Sequence, residues 1–200
     1  MNYLKRIFLT GFLLSALALH AKVETGAPAP EFTLLDSTGV EHKLSDFNGN
    51  YVVLEWTNHR CPFVRKFYAN GTMQSLQKEM TEKGVVWLQM LSSAKGKQGY
   101  LTASEAEALR KEQEVGSTAL LLDTEGVVGN EYGARTTPHM FLIDPEGVVI
   151  YQGAIDSVKS TNSADIAGAT NYVKLAYENS IAGKPIKPVT TTPYGCSVKY

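Results

Sequence analysis

The chain has 200 residues, 44% of them hydrophobic and 10% aromatic, enough for one well-filled domain with appendages. A formal net charge of -1 argues against a nucleic-acid or anionic-membrane partner, either of which calls for a basic surface. The four histidines and two cysteines show no metal-ligand spacing, so neither a metal nor a cofactor is implied.

Lys5 and Arg6 precede the apolar run Ile7–Leu19, which is shorter than the roughly 18 residues of a spanning helix. Residues 1–21 therefore read as a secretory signal, cleaved after Ala18 or Ala21, and no stable membrane insertion is expected afterwards. No cysteine follows the run, so a lipid-anchored terminus is not indicated. The mature protein is expected outside the cytoplasm, periplasmic or extracellular, where two cysteines are more naturally a pair than two inert thiols.

Gly26–Pro30 is an extended lead-in. Phe32–Leu35, the turn Asp36–Gly39 and Val40–Leu44 then predict a hairpin, with His42 on its surface. Tyr51–Trp56 carries β-branched and bulky residues without a breaker, as a buried parallel strand requires. Pro62 suits the first position of a helix, which places Cys61 at the N-cap. A thiolate there faces unpaired N–H groups and the positive helix end, with His59, Arg60, Arg65 and Lys66 close in sequence; its pKa should fall. The alternative is that Cys61 is simply a small buried hydrophobe.

Asn70-Gly71 interrupts the helix, and Thr72 can cap a second one through Met80, ended by Gly84. Val85–Leu91 predicts the next strand, followed by a basic loop to Tyr100. Thr102 and Glu105 form a capping box for a helix to about Glu114. Thr118–Leu122 is a further strand, with Asp123 as a cap for a weak helix over Val127–Tyr132. Thr137-Pro138 opens a strand through Asp144 and is the candidate for a cis peptide bond. Pro145–Gly147 turns into Val148–Gln152, and Asn171–Tyr177 carries the last amphipathic helix, ending at Gly183. Residues 22–183 thus read as one domain. Residues 184–200 are rich in proline and threonine, aperiodic, and read as an extended tail that carries Cys196 between Gly195 and Ser197.

This order of elements, with the Cys61 helix start, the Thr137-Pro138 strand and the stretch Phe141–Gly147, resembles the thioredoxin-like α/β fold: a central mixed sheet flanked by helices. With the added hairpin it is similar to the redoxin branch, the alkyl hydroperoxide reductase and thiol-specific antioxidant family. The resemblance covers about Gly26 to Gly183. It implies that Cys61 is the nucleophile, that Pro138 is the cis-proline beside it, and that Cys196 is placed like the C-terminal resolving cysteine of some peroxiredoxins. Two positions depart from the pattern. Val64 stands where Cys-x-x-Cys proteins carry their second cysteine, and Asn58 stands where peroxiredoxins carry threonine or serine, offering an amide to a peroxide oxygen.

The reading that leads is an exported, peroxiredoxin-like oxidoreductase in which the Cys61 thiolate attacks peroxide and Cys196 condenses with the sulfenic acid. Its substrates are a peroxide or a disulfide, and an external thiol is its reductant. Arg60 and Arg135 are candidates to stabilise the anionic leaving group, with Asn58, Pro62, Thr137 and Pro138 in supporting positions. The alternatives are a thiol–disulfide reductase or isomerase for exported proteins, and a redox-inert binding module stapled by Cys61–Cys196. The tether from Gly183 to Cys196, about 13 residues, spans at most roughly 40 Å. Cys196 can therefore reach Cys61 in its own chain or in that of a homodimer partner, and the tail is expected to exchange between docked and free states.

Overall fold

The computed structural model describes residues 22–200. The predicted signal, residues 1–21, lies outside them. Among the described residues no helix is long and apolar enough to cross a membrane.

Five strands form the central sheet: β3 (Val52–Trp56), β4 (Val86–Leu91), β5 (Ala119–Leu122), β7 (His139–Ile143) and β8 (Val149–Gly153). Their order is β5-β4-β3-β7-β8, with β3, β4 and β5 parallel and β7 antiparallel to both β3 and β8. The hairpin β1 (Thr33–Leu35) and β2 (Glu41–Lys43) stands beside it as the turn residues predict. Strand β3 is central, and all five of its residues are buried because both faces of the sheet are covered.

One face carries Val53, Trp87, Met140, Leu142 and Tyr151 against α1 (Pro62–Tyr68), α2 (Thr72–Glu82) and α5 (Tyr172–Ile181). The other carries Val52, Leu54, Trp56, Met90 and Phe141 against α4 (Val127–Tyr132) and the lead-in at Val23 and Phe32. The period-2 alternation of β3 is what sends Val53 and Glu55 to the first face and Val52, Leu54 and Trp56 to the second. A smaller cluster of Leu91, Ala106 and Leu120 seats α3 (Ala103–Glu112), whose Thr102–Glu105 capping box forms as predicted.

Local signals differ in detail. The N-cap of α2 is Gly71 rather than Thr72, because its φ of 77° makes the turn between two abutting helices and leaves Thr72 inside the second. Asp123 does serve α4, accepting the Val128 and Gly129 N–H groups at 3.2 and 2.8 Å. His42 is half-buried, with Nε2 2.9 Å from Asp36 Oδ2, because the hairpin folds it back onto the turn.

The tail, residues 184–200, is extended and docked from Val189 onward. Val189 and Thr191 bond to the backbone of Gln152 on the edge strand β8. Farther along, β9 (Cys196–Ser197) pairs antiparallel with β6 (Thr136–Thr137), placing Cys196 opposite Thr137. Val198 N–H then donates to Arg135 O, the Ala94 N–H donates to Lys199 O, and the Tyr200 hydroxyl donates to Ala134 O. The tail finds its order in backbone partners on the sheet and loops, which no periodic side-chain pattern announces.

Candidate active site

Strand β3 ends at Trp56, and the next residues form the turn that delivers Cys61. The Asn58 amide shapes that turn with Oδ1, which accepts the Arg60 N–H at 2.9 Å, and ties it to a neighbouring loop with Nδ2, which donates to Gln98 O at 3.2 Å. The Cys61 N–H donates to Asn58 O at 2.9 Å, which closes the turn. Cys61 is the N-cap of α1 and Pro62 its first residue, as predicted.

The thiol itself is fully buried. As a thiol, Cys61 Sγ donates to Thr137 O at 3.0 Å, and the Cys196 N–H donates to the same sulfur at 3.4 Å. Two residues 135 positions apart thus meet across the β6–β9 pairing. Cys196 is only half-buried. The Thr137-Pro138 bond is cis, and the Thr137 hydroxyl is buried without a hydrogen-bond partner among the described residues.

Burial pushes the Cys61 pKa up, but hydrogen bonds from the Cys196 thiol and N–H and from the Val64 N–H outweigh it, leaving Cys61 below the ordinary cysteine range. Burial, together with the bond that its thiol gives to Cys61, pushes Cys196 up to about 11. The pair is therefore asymmetric: one sulfur holds the charge and the other holds the proton. The sign gives a prediction. Thiolate absorbance of the reduced protein should rise through a single step below about pH 8.5, the free-thiol value. A second step belongs near 11. One merged two-thiol step at the free value would contradict the asymmetry.

Not every residue named from the sequence joins the sulfur. Arg60 and Arg135 are exposed, and the fixed contacts of Arg135 are through its backbone, to His139 Nδ1 and Val198. His139 is buried on Phe141, and burial with the nearby Arg135 charge lowers it to about 3, so it stays neutral. Lys66, expected as a cation near the thiol, instead turns into the core to meet Asp156.

Sequence reasoning missed Glu55, buried in β3 beneath α1. Its Oε1 accepts the Tyr68 hydroxyl at 2.7 Å, and its Oε2 accepts Trp87 Nε1 at 2.8 Å and Gln77 Nε2 at 3.0 Å. Gln77 and Gln89 donate in turn to the Tyr68 oxygen. Burial raises the Glu55 pKa against these bonds. A lone acid in an otherwise apolar strand was the available signal.

Residues 25–152 match the model of the AhpC/TSA family. The chain belongs to the AhpC/TSA family. As a redoxin of that family it is a thioredoxin-like oxidoreductase. Among curated AhpC/TSA-like proteins it is similar to the thiol-disulfide oxidoreductase ResA of Geobacillus thermodenitrificans, 32% identical over 130 residues that cover 64% of this chain and 67% of that protein. A hypothetical protein of Sinorhizobium meliloti superposes with a TM-score of 0.75 at 23% identity, covering 90% of this chain and 96% of its own. The thioredoxin domain of a thiol-disulfide oxidoreductase of Bacteroides vulgatus superposes with a TM-score of 0.51 at 23% identity, covering 66% of this chain and 89% of that one. These likenesses carry the redoxin fold.

Proposed function

We propose that the protein is a thiol–disulfide oxidoreductase whose redox pair is Cys61 with Cys196, a pair assembled by the fold rather than by a Cys-x-x-Cys segment. The observation that carries this reading is the convergence of the two sulfurs: Cys196 N–H on Cys61 Sγ, with Cys196 in register opposite Thr137.

The exchange is a two-step displacement. The Cys61 thiolate attacks one sulfur of a substrate disulfide; a new S–S bond forms and the other substrate sulfur leaves as a thiolate. Forming that bond removes the Cys61 charge and with it part of what keeps Cys196 protonated. Cys196, as thiolate, then attacks Cys61 Sγ and expels the second substrate thiolate. The substrate gains two electrons and the protein holds the Cys61–Cys196 disulfide. An external thiolate reverses this by attacking Cys196, the more accessible sulfur, and Cys61 departs as the better leaving group because its pKa is the lower.

Peroxide reduction, which leads in the sequence reading, takes second place. The Asn58 amide is already engaged at both ends, by the Arg60 N–H and by Gln98 O. The relative that shares 32% identity is a thiol-disulfide oxidoreductase. Lys5, Arg6 and the apolar run behind them support export to a compartment where exported disulfide proteins are substrates.

Insulin reduction with an external dithiol tests the proposal. Wild type should accelerate it, Cys61→Ser should reduce the rate by at least about a hundredfold, and Cys196→Ser should accumulate a mixed disulfide on Cys61. Peroxide consumption that depends on Cys61, without insulin reduction, would restore the peroxidase reading. Inactivity in both assays with a disulfide that resists reduction would support the stapled binding module.

A further inference from the structure

Tyr194 lies two residues before Cys196 in the docked tail, and its hydroxyl donates to Asp156 Oδ1. Asp156 Oδ2 pairs with Lys66 Nζ at 3.0 Å, and Lys66 also donates to Val158 O at 3.0 Å. Lys66 belongs to α1, the helix that begins at Cys61. The ammonium lies 4.8 Å from the Phe67 ring centre and 5.9 Å from that of Tyr194, while Phe63 packs edge-on against Tyr194 at 5.7 Å. Lys66, Asp156 and Tyr194 are all buried. Burial makes each hydrogen bond to this charged pair costly to lose, so the phenol has a fixed place to go.

We propose that Tyr194 is a latch: seated on the Lys66–Asp156 pair, it holds Cys196 over Cys61 and so sets both the access to Cys61 and the effective concentration of the two thiols. It is a positioning residue, acting through Cys196. The latch couples the tail to the same helix whose N-cap is the reactive cysteine. Docking leaves the phenol hydroxyl paired with Asp156. Lifting the tail, by contrast, strips Asp156 of one of three donors, since Val158 N–H and Lys66 remain. It also uncovers the slot beside Phe63. Burial, reinforced by Asp156, raises the Tyr194 pKa, which keeps the hydroxyl a donor throughout the neutral range.

As a determinant of redox equilibrium the latch rests on the thiol–disulfide reading above; as a determinant of tail docking it does not, and one experiment separates the two. Reduced protein is alkylated with iodoacetamide and Cys61 is followed by peptide mapping. In parallel, protein dithiol is equilibrated with oxidised glutathione, which yields the Cys61–Cys196 disulfide and two reduced glutathiones. Tyr194→Phe keeps the ring and removes only the hydroxyl. It should speed Cys61 alkylation about tenfold and lower the effective concentration of the pair about tenfold, as expected for one hydrogen bond to a buried charge. Tyr194→Ala should exceed both changes, while the thermal midpoint of the reduced domain shows that it remains folded. Faster alkylation without any Cys61–Cys196 disulfide would uphold the latch and remove the thiol–disulfide reading. Alkylation of Cys61 at the wild-type rate in both variants would overturn the latch.

Discussion

Gly195→Ala should separate the two cysteines more completely than any other single substitution that leaves both thiols in place. Gly195 adopts a φ of 139°, a conformation that residues with a Cβ rarely take, and a Cβ built there overlaps the Thr137 carbonyl oxygen. That same carbonyl accepts from Cys61 Sγ, and the next residue of the tail is Cys196. An alanine must therefore lift the tail where the sulfurs meet. Docked thiols gain from fixed orientation, whereas a flexible tether offers only millimolar effective concentration. The Cys61–Cys196 effective concentration should fall by about a hundredfold, a larger loss than removal of a single tail hydrogen bond causes. Glutathione equilibration of the variant checks it, and a change of less than about threefold would show that the β6–β9 pairing does not hold the pair.

The largest stability effect should come from Glu55. Replacement by leucine leaves the Trp87 indole N–H, the Gln77 amide and the Tyr68 hydroxyl without their acceptor inside the core. Each unsatisfied group costs about 1–3 kcal/mol, offset in part by no longer burying an acid, so Glu55→Leu should lose about 3–5 kcal/mol. Glu55→Gln retains one carbonyl acceptor and should lose less. The raised pKa adds a pH signature. Because the folded state prefers the protonated acid, the contribution of Glu55 is fully present below its unfolded value of about 4.3 and is lost as pH rises through the folded pKa. Wild type should therefore fall relative to Glu55→Gln over that interval, as denaturant titrations at several pH values will read. A constant difference between the two proteins would mean that Glu55 keeps its ordinary pKa in the fold.

The parts of this site that were legible are those with local causes. Trp56, Cys61 and Pro62 fall in one line because a strand end, an N-cap and a first helical turn each have their own residue preferences, and Thr137-Pro138 announces itself by the proline. The docking of the tail has such causes only at Tyr194, Gly195 and Tyr200, and elsewhere it has none. Val189, Thr191, Val198 and Lys199 are held through their backbones by Gln152, Arg135 and Ala94, and a backbone bond leaves no trace in residue type. Lys66 illustrates the opposite problem. On a helix beside a cysteine it suggested electrostatic help for the thiolate, yet the position of α1 against the segment after β8 turns it inward to Asp156, a partner 90 residues away. Asn58 likewise suggests an amide offered to a substrate, yet Oδ1 is taken by the Arg60 N–H in its own turn and Nδ2 is given to Gln98 O in the loop after β4.

The central claim is that Cys61 and Cys196 of one chain form a reversible redox pair. The direct measurement is peptide mapping under non-reducing conditions after equilibration of the monomer in glutathione buffers of graded potential. The account predicts a Cys61–Cys196 linked peptide that appears and disappears reversibly with potential. Glutathione left on Cys61 while Cys196 stays free in the same chain, or a linked peptide that no buffer reduces in the folded protein, would contradict it.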